Sequence, residues 1–430
     1  MNVQLAYGKT GLMIDVPPEA EVLSARFAPG LPDERAALQQ ALAQPIGCAP
    51  LRQLVRPGQR VTIVHTDITR ATPNQRILPV LLAELEAAGI ARQDITLLNA
   101  LGTHRRQSEA ELRGMLGDFI VDHYRCTQHD AWDDAGLISF GETSFGHPVR
   151  INRSYVEADV RILTGYIEPH FFAGFSGGPK GVLPSIAGFE SVLTNHNQAM
   201  LSHPKATWGV TEGNPVWEEM REMALRTQPT FLLNVAMNTQ RQITGVFAGE
   251  LLDAHAAGCA FVGRHALVKV RQPYDVVITT NSGYPLDQNL YQCVKGMSAA
   301  ARVVRPGGAI LACGECSDGI PAHGKYFELL QRGGSPQGVL EMLAQPGFTS
   351  HDQWQVQTQA QIQLKADVYV HASGLSEAEV RAALFLPASD LQATLAMLLE
   401  RYGRRVCVLP MGPETAPTLE EYRNDKSARA

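Results

Sequence analysis

ADVRILTGYIEPHFFAGFSGGPKGVLPSIAG, residues 158–188, decides how the rest of this chain is read. Val160 to Thr164 is a short apolar run of the kind that makes a buried strand. The run breaks into a Gly-rich loop that carries His170 and Lys180. Gly174, Gly177, Gly178 and Gly181 let the backbone approach a ligand closely and take positive φ. Such a backbone can aim several N–H groups at a phosphate, with Lys180 as the point charge beside it. The alternative is a structural loop with a surface lysine and incidental histidines. Phe171, Phe172 and Phe175 argue for burial, and a buried lysine needs a partner or a covalent bond. The loop is not a Walker A motif, because Pro179 precedes Lys180 and Gly181 follows it. Residues 189–205, FESVLTNHNQAMLSHPK, continue as a helix predicted to start near Phe189 and to carry His196.

Strand, loop and helix alternate outward from this unit. Residues 3–16 read as two short strands around a Gly8–Gly11 turn, and residues 33–44 as a helix. Strands are predicted at 60–66 and 94–100, and helices at 76–88 and 108–116, the last with Ser108 placed to cap and Glu111 three residues on. A helix at 215–226 begins with Asn214 at the cap and Pro215 at its first position. Residues 230–247 read as a hairpin, 250–267 as a helix and 268–274 as a junction.

A second α/β pattern follows. It has strands at 275–281, 309–313, 368–371 and 405–409, helices from 290 and at 389–402, and a turn at 305–308. The final EYRNDKSARA reads as frayed. The fold class is therefore α/β: two α/β domains with mostly parallel sheets and the active site in the interdomain cleft. The expected boundaries are 1–267 for an N-terminal cofactor-binding and catalytic domain and 268–405 for a C-terminal domain closing the cleft. A segment 406–430 would return toward the first. In open sheets of this kind ligands bind beyond the carboxyl ends of the strands. The loops at 67–70, 102–105 and 165–181 could then meet at one site.

Composition narrows the function classes. Of 430 residues, 45% are hydrophobic and 19% charged, which suits an enzyme with a substantial core. A net charge of −6 leaves no electrostatic footprint for nucleic acid. No run reaches transmembrane length and no signal peptide is read, so no membrane partner is expected and the expected location is cytoplasmic. Seven scattered cysteines suit a reducing compartment.

Several side chains admit two readings from the residues alone. Arg70, in the Asp67-Ile68-Thr69-Arg70 loop, suits a two-pronged contact to carboxylate or phosphate, or a surface ion pair. His104 is either a general base placed directly after a strand or a loop histidine without a role. His196 and His203 would share a helix face and, with His170, could form a three-histidine zinc site, although no HExxH is present. Gln292 and Lys295, three apart at a helix start, either grip a small anion or line an exposed face. Cys313 and Cys316 form a lone CxxC, open to a metal, a redox or a packing role. Trp354 walls a pocket or seals a junction.

Taken in order, DITR at 67–70, GTHR at 102–105, GYIEPHFFAGFSGGPKGVLPSIAG at 165–188, Asn195-His196 and PLDQNLYQCVKG at 285–296 resemble the nickel-pincer nucleotide-dependent lactate racemase family across nearly the whole chain. The resemblance implies a 2-hydroxy acid racemase or epimerase, with cofactor-maturation enzymes as partners. It implies a pyridinium nucleotide whose two sulfur-bearing arms hold nickel, joined to Lys180 through a thioamide, with His196 as the protein's nickel ligand. His104 and His170 become the acid/base pair. Asp67, Ile68, Thr69 and Arg70 bind the nucleotide. Arg70, Gln292, Lys295 and Trp354 bind a small 2-hydroxy acid. Ala71 stands where many members have Pro, with Pro73 later. Tyr291-Gln292 looks like the lactate-type helix start, whereas relatives with similar cores act on malate, larger 2-hydroxy acids or sugar acids.

The chemistry agrees with that assignment. Removing the α-proton of a carboxylate would build a dianion. Moving hydride off that carbon avoids it and requires a base for the hydroxyl proton, with a second acid/base on the opposite face. A nicotinamide-dependent 2-hydroxy acid dehydrogenase is a more distant alternative, since no GxGxxG lies between strand and helix. A nucleotide or nickel carrier without turnover is a non-enzymatic one.

Overall fold

A computed structural model describes residues 1–322 and 324–420. The terminal EYRNDKSARA lies outside the described residues. The chain forms two compact units, one of residues 27–265 and one of residues 1–26 with 266–430.

The first unit is built on a six-stranded sheet. Its strands are β1 (Val61–Thr66), β2 (Ile95–Ala100), β3 (Arg125–Gln128), β4 (Val160–Tyr166), β5 (Phe231–Met237) and β6 (Ile243–Gly249), in the order β6-β5-β4-β1-β2-β3. Only the β5–β6 hairpin is antiparallel. β1 and β4 are almost wholly buried, as expected for parallel strands covered on both faces. Helices α1 (Glu34–Ala43), α2 (Asn74–Ala87) and α3 (Glu109–Leu116) follow the predicted spans closely. Asp33 caps α1, and α3 carries the full capping box of Ser108 and Glu111. Leu38, Leu42, Ile77, Leu81 and Leu85 from α1 and α2 pack on Ile63, Leu97 and Ile162 of the sheet.

Chain order fixes where a ligand belongs. From β1 the chain moves outward to β2 and β3, then returns to lay β4 on the other side of β1 before moving to β5. The loops after β1 and β4 therefore lead away in opposite directions. This is the topological switch point at which open α/β sheets bind ligands.

The second unit has its own six-stranded, wholly parallel sheet. Its strands are β7 (Tyr274–Thr280), β8 (Val304–Cys313), β9 (Ala366–His371), β10 (Leu386–Pro387) and β11 (Val406–Leu409), in the order β10-β9-β8-β7-β11, with Glu21–Val22 pairing on β11. Val276, Ile278, Leu311 and Val408 form its core with Leu5, Ile14 and Val16 from the N-terminal hairpin.

Four expectations are corrected here. Residues 1–26 belong to the second unit, because Glu21–Val22 completes its sheet and the hairpin Asn2–Leu5/Leu12–Asp15 packs on its core. Residues 406–420 are integral to that same unit: β11 is an inner strand. Residues 268–274, read as a junction, include the strand Leu267–Val270, paired with Ala416–Leu419. The turn read at 305–308 is absorbed into β8, whose register on β7 slips between Tyr274 and Val276. No described helix is long and apolar enough to cross a membrane.

Candidate active site

The loops at the carboxyl ends of β1, β2 and β4 are joined to one another by side-chain and backbone hydrogen bonds. Asp67, the first residue after β1, is buried. Its Oδ2 accepts from His104 Nδ1 at 2.7 Å and its Oδ1 from the Thr69 hydroxyl at 2.7 Å. This ties DITR to GTHR. Gly102 N–H then donates to Ser185 O at 2.9 Å, and the Ser185 hydroxyl donates to Lys180 O at 2.7 Å. This ties GTHR to the lysine loop. Burial would raise the Asp67 pKa, but the His104 ring, the Arg70 charge and the Thr69 hydroxyl together hold it below its ordinary value.

The lysine loop is pinned from behind. Gly177 and Gly178 both have positive φ, and a Cβ on Gly177 would lie 2.5 Å from Asn234 Oδ1. Asn234, on β5, accepts the Gly178 N–H at 2.8 Å. His255, buried on the helix Leu251–Ala266, donates from Nε2 to Ser176 O at 3.0 Å. A side chain on Gly178 would run into that imidazole. Only glycine fits there. The effect is to hold Lys180 buried at a fixed position.

His170 lies in the short strand Pro169–His170, paired antiparallel with Gly174–Phe175. It is buried, stacks on Phe171 at 4.8 Å and meets the edge of Phe172 at 4.6 Å. Its Nδ1 accepts the Ala173 N–H at 3.2 Å. Phe172 also packs edge-on against His196 at 5.0 Å, so the two imidazoles share one wall. Burial, and then the positive charge of Lys180, pull the His196 pKa down to about 3. That ring is neutral at physiological pH, the form that binds a metal.

Asp67, Arg70, His104, His170, Lys180 and His196 are thus brought together in one unit. Ile68 is exposed beside them. The helix expected to carry both His196 and His203 is corrected: it spans Phe189–Asn195, with His196 as its C-cap. Asn197 is extended and caps a new short helix, Gln198–Leu201, through its side chain. His196 and His203 therefore share no helix face. No three His, Cys, Asp or Glu side chains are placed to hold a metal among the described residues.

Gln292, Lys295 and Trp354 lie in the second unit. Gln292 and Lys295 are half-buried on the helix Leu290–Ala301, whose N-cap Asn289 accepts the Gln292 N–H at 3.1 Å. Trp354 is buried on Gln353–Lys365, and its Nε1 donates to the Tyr291 hydroxyl at 3.1 Å, so it buttresses the start of that helix. Cys316 Sγ lies 3.7 Å from Cys293 Sγ, and both are buried with Cys313.

Sequence reasoning missed Asn234 and His255. Each is a single residue in an ordinary strand or helix, and only the positive-φ glycines opposite them hint that something must press on the loop.

The descriptions of two family models cover most of the chain: the lactate racemase N-terminal domain matches residues 7–209 and the lactate racemase C-terminal domain residues 269–413. The lactate racemase of Thermoanaerobacterium thermosaccharolyticum is 34% identical over 419 residues, covering 96% of this chain and 98% of that protein. The lactate racemase of Lactiplantibacillus plantarum is 34% identical over 386 residues, covering 88% and 90%. The solved structure of the Thermoanaerobacterium thermosaccharolyticum lactate racemase apoprotein is similar with a TM-score of 0.91 at 33% identity, over 98% of this chain and all of that one. A Thermotoga maritima protein shares the fold alone, with a TM-score of 0.71 at 20% identity over 92% of this chain and 100% of that one. With two domain matches in order and 34% identity across nearly its full length, this chain belongs to the lactate racemase family of isomerases.

Proposed function

We propose that this protein interconverts the enantiomers of a small 2-hydroxy acid, lactate or a close analogue, by reversible hydride transfer at a nickel-pincer nucleotide tethered to Lys180. The observation that carries the reading is the pair His104 and His170, whose Nδ1 atoms are committed in opposite senses, one as a donor to a carboxylate and the other as an acceptor from the backbone. His104 donates its Nδ1 proton to Asp67, which leaves a lone pair on Nε2. His170 accepts a backbone N–H at Nδ1, which leaves Nε2 as the nitrogen that carries a proton. His104 takes the hydroxyl proton as hydride leaves C2, His170 gives its Nε2 proton to the oxygen as hydride returns on the other face, and a proton passed from His104 back to His170 restores the starting state; the opposite enantiomer runs the same steps in reverse.

The donor set suits the group. Lys180 is a buried amine beside a neutral imidazole, and His196 presents that imidazole as a nickel ligand. Asp67, Ile68, Thr69 and Arg70 hold the nucleotide. When bound, the nickel-pincer nucleotide supplies a reversible acceptor for the hydride on the substrate's C2. Arg70, Gln292 and Lys295 bind the substrate carboxylate, and Trp354 keeps the Gln292 helix start in place. The Phe171–Phe172 wall excludes water and keeps the keto acid from hydration or escape. The protein works in the cytoplasm, loaded by maturation enzymes.

The test is chiral chromatography of single-enantiomer 2-hydroxy acids incubated with protein co-produced with cofactor-maturation enzymes. The expected result is the opposite enantiomer of lactate or a close analogue, reaching an equal mixture without added nicotinamide. No inversion across a panel that includes malate, aryl-lactates, 2-hydroxyglutarate and sugar acids would refute the reading.

A further inference from the structure

Glu219 is a carboxylate with no exposed surface, and nothing in the motifs around the site calls for it. It sits on the helix Pro215–Arg226. Its Oε1 accepts from the Thr143 hydroxyl at 2.6 Å and from His147 Nδ1 at 2.8 Å. Its Oε2 accepts from Asn195 Nδ2 at 2.8 Å. With Nδ1 donating to the carboxylate, His147 Nε2 is left as an acceptor for Asn197 Nδ2, 3.4 Å away. Asn197 uses its Oδ1 to accept the Met200 N–H at 2.9 Å.

The two asparagines flank His196. One is bonded to Glu219 directly and the other through His147. His196 itself caps the end of its helix, with its N–H donating to Val192 O at 3.0 Å. A helix C-terminus followed by an extended residue is a place where backbone frays, yet here both neighbours are held by one buried anion. Burying a carboxylate is a poor way to add stability, since desolvation offsets much of the gain. It is a good way to fix geometry, because a carboxylate accepts three donors on two oxygens in a directional arrangement.

We infer that Glu219 is a positioning residue: it clamps Asn195 directly and Asn197 through His147, and so fixes the His196 imidazole beside Lys180. The inference rests on the proposed role of His196 as nickel ligand. Outer partners that orient a metal ligand typically change metal affinity or activity by about 10- to 100-fold.

Glu219→Gln keeps the volume but replaces one acceptor oxygen by an amide that faces a donor. Wild type and variant are produced with maturation enzymes. Intact mass reports the nucleotide on Lys180, and elemental analysis after a chelator challenge reports nickel. The expected result is equal nucleotide mass, about 10-fold less nickel retained per nucleotide, and a lower kcat at unchanged KM. A folded variant with wild-type nickel retention and kcat overturns the clamp.

A second readout needs no cofactor. In ¹⁵N-histidine spectra of cofactor-free protein, the His196 ring resonances should shift and broaden in Glu219→Gln; unchanged resonances also overturn it. A wild-type protein with neither nucleotide nor nickel, but with His196 resonances that respond to Glu219→Gln, refutes the functional reading while leaving the clamp standing. Should Glu219→Gln not fold, His147→Asn at a partly solvent-open position cuts only the Asn197 arm. It should lower nickel retention by a smaller factor, and unchanged retention overturns the clamp.

Discussion

The two units are built alike and filled differently. Each has a six-stranded, largely parallel sheet. The unit of residues 27–265 buries ionisable nitrogen: His65, His129, His170, His196, His255 and Lys180. The unit of residues 1–26 and 266–430 buries sulfur and amide instead: Cys293, Cys313, Cys316 and Cys407, with Gln353, Gln355, Gln357 and Gln359 along one helix. The same architecture thus supports one interior furnished with imidazole and amine and one furnished with thiol and amide. Fold does not assign the chemistry; the loops and the groups buried behind them do.

The largest effects should come from the two site histidines. His104→Ala and His170→Ala should each lower racemisation by about 10²- to 10⁴-fold in both directions, measured by chiral chromatography. In the proposed mechanism each substitution removes one of the two proton-transfer groups. A variant that kept wild-type turnover would remove that histidine from the chemistry and erase the contrast between the units.

Acid should separate the units next. Burial lowers the pKa of His65, His129 and His255 to about 4, and burial with the Lys180 charge lowers that of His196 to about 3. All four lie in residues 27–265. These rings are neutral when folded and protonate more easily when unfolded, so the unfolded state binds more protons below their ordinary value of 6.5. The stability they provide is complete above that pH and is lost as pH falls toward 4. Each contributes a slope of about 1.4 kcal/mol per pH unit in that window. Hydrogen exchange of the cofactor-free chain at pH 7 and pH 5 should show protection lost first in residues 27–265. Equal loss in both units would contradict the assignment.

A smaller effect is expected from the second unit's contribution to binding. Lys295→Ala and Gln292→Ala should raise KM about 10-fold, the cost of a charge-assisted hydrogen bond to a carboxylate, while the nucleotide mass on Lys180 stays unchanged. A fall in cofactor loading instead of a rise in KM would move these residues from substrate to cofactor.

Much of the first unit could be read from its residues because its chemistry is written in consecutive positions. DITR and GTHR each follow a short apolar strand directly, and the glycines around Lys180 announce a loop that needs positive φ. Cap signals at Ser108 and Asn214 placed two helices almost to the residue. What could not be read depends on distance along the chain. Glu219, Asn234 and His255 act on loops dozens of positions away, and no local pattern marks them. Glu21–Val22 is a two-residue strand whose partner is β11, far too short for any periodicity to reveal. The break after His196 hangs on Asn197 choosing to cap a new helix rather than continue the old one.

The proposal that hydride, not a proton, leaves C2 can be tested with a label. Single-enantiomer lactate carrying deuterium at C2 is incubated in ordinary water with the cofactor-loaded protein until inversion is well advanced, and the product enantiomer is isolated and weighed by mass spectrometry. Transfer within the site predicts that the inverted product keeps its deuterium. Deuterium replaced by solvent hydrogen in step with inversion would mean that the histidines remove the C2 proton themselves, and the hydride mechanism would be wrong.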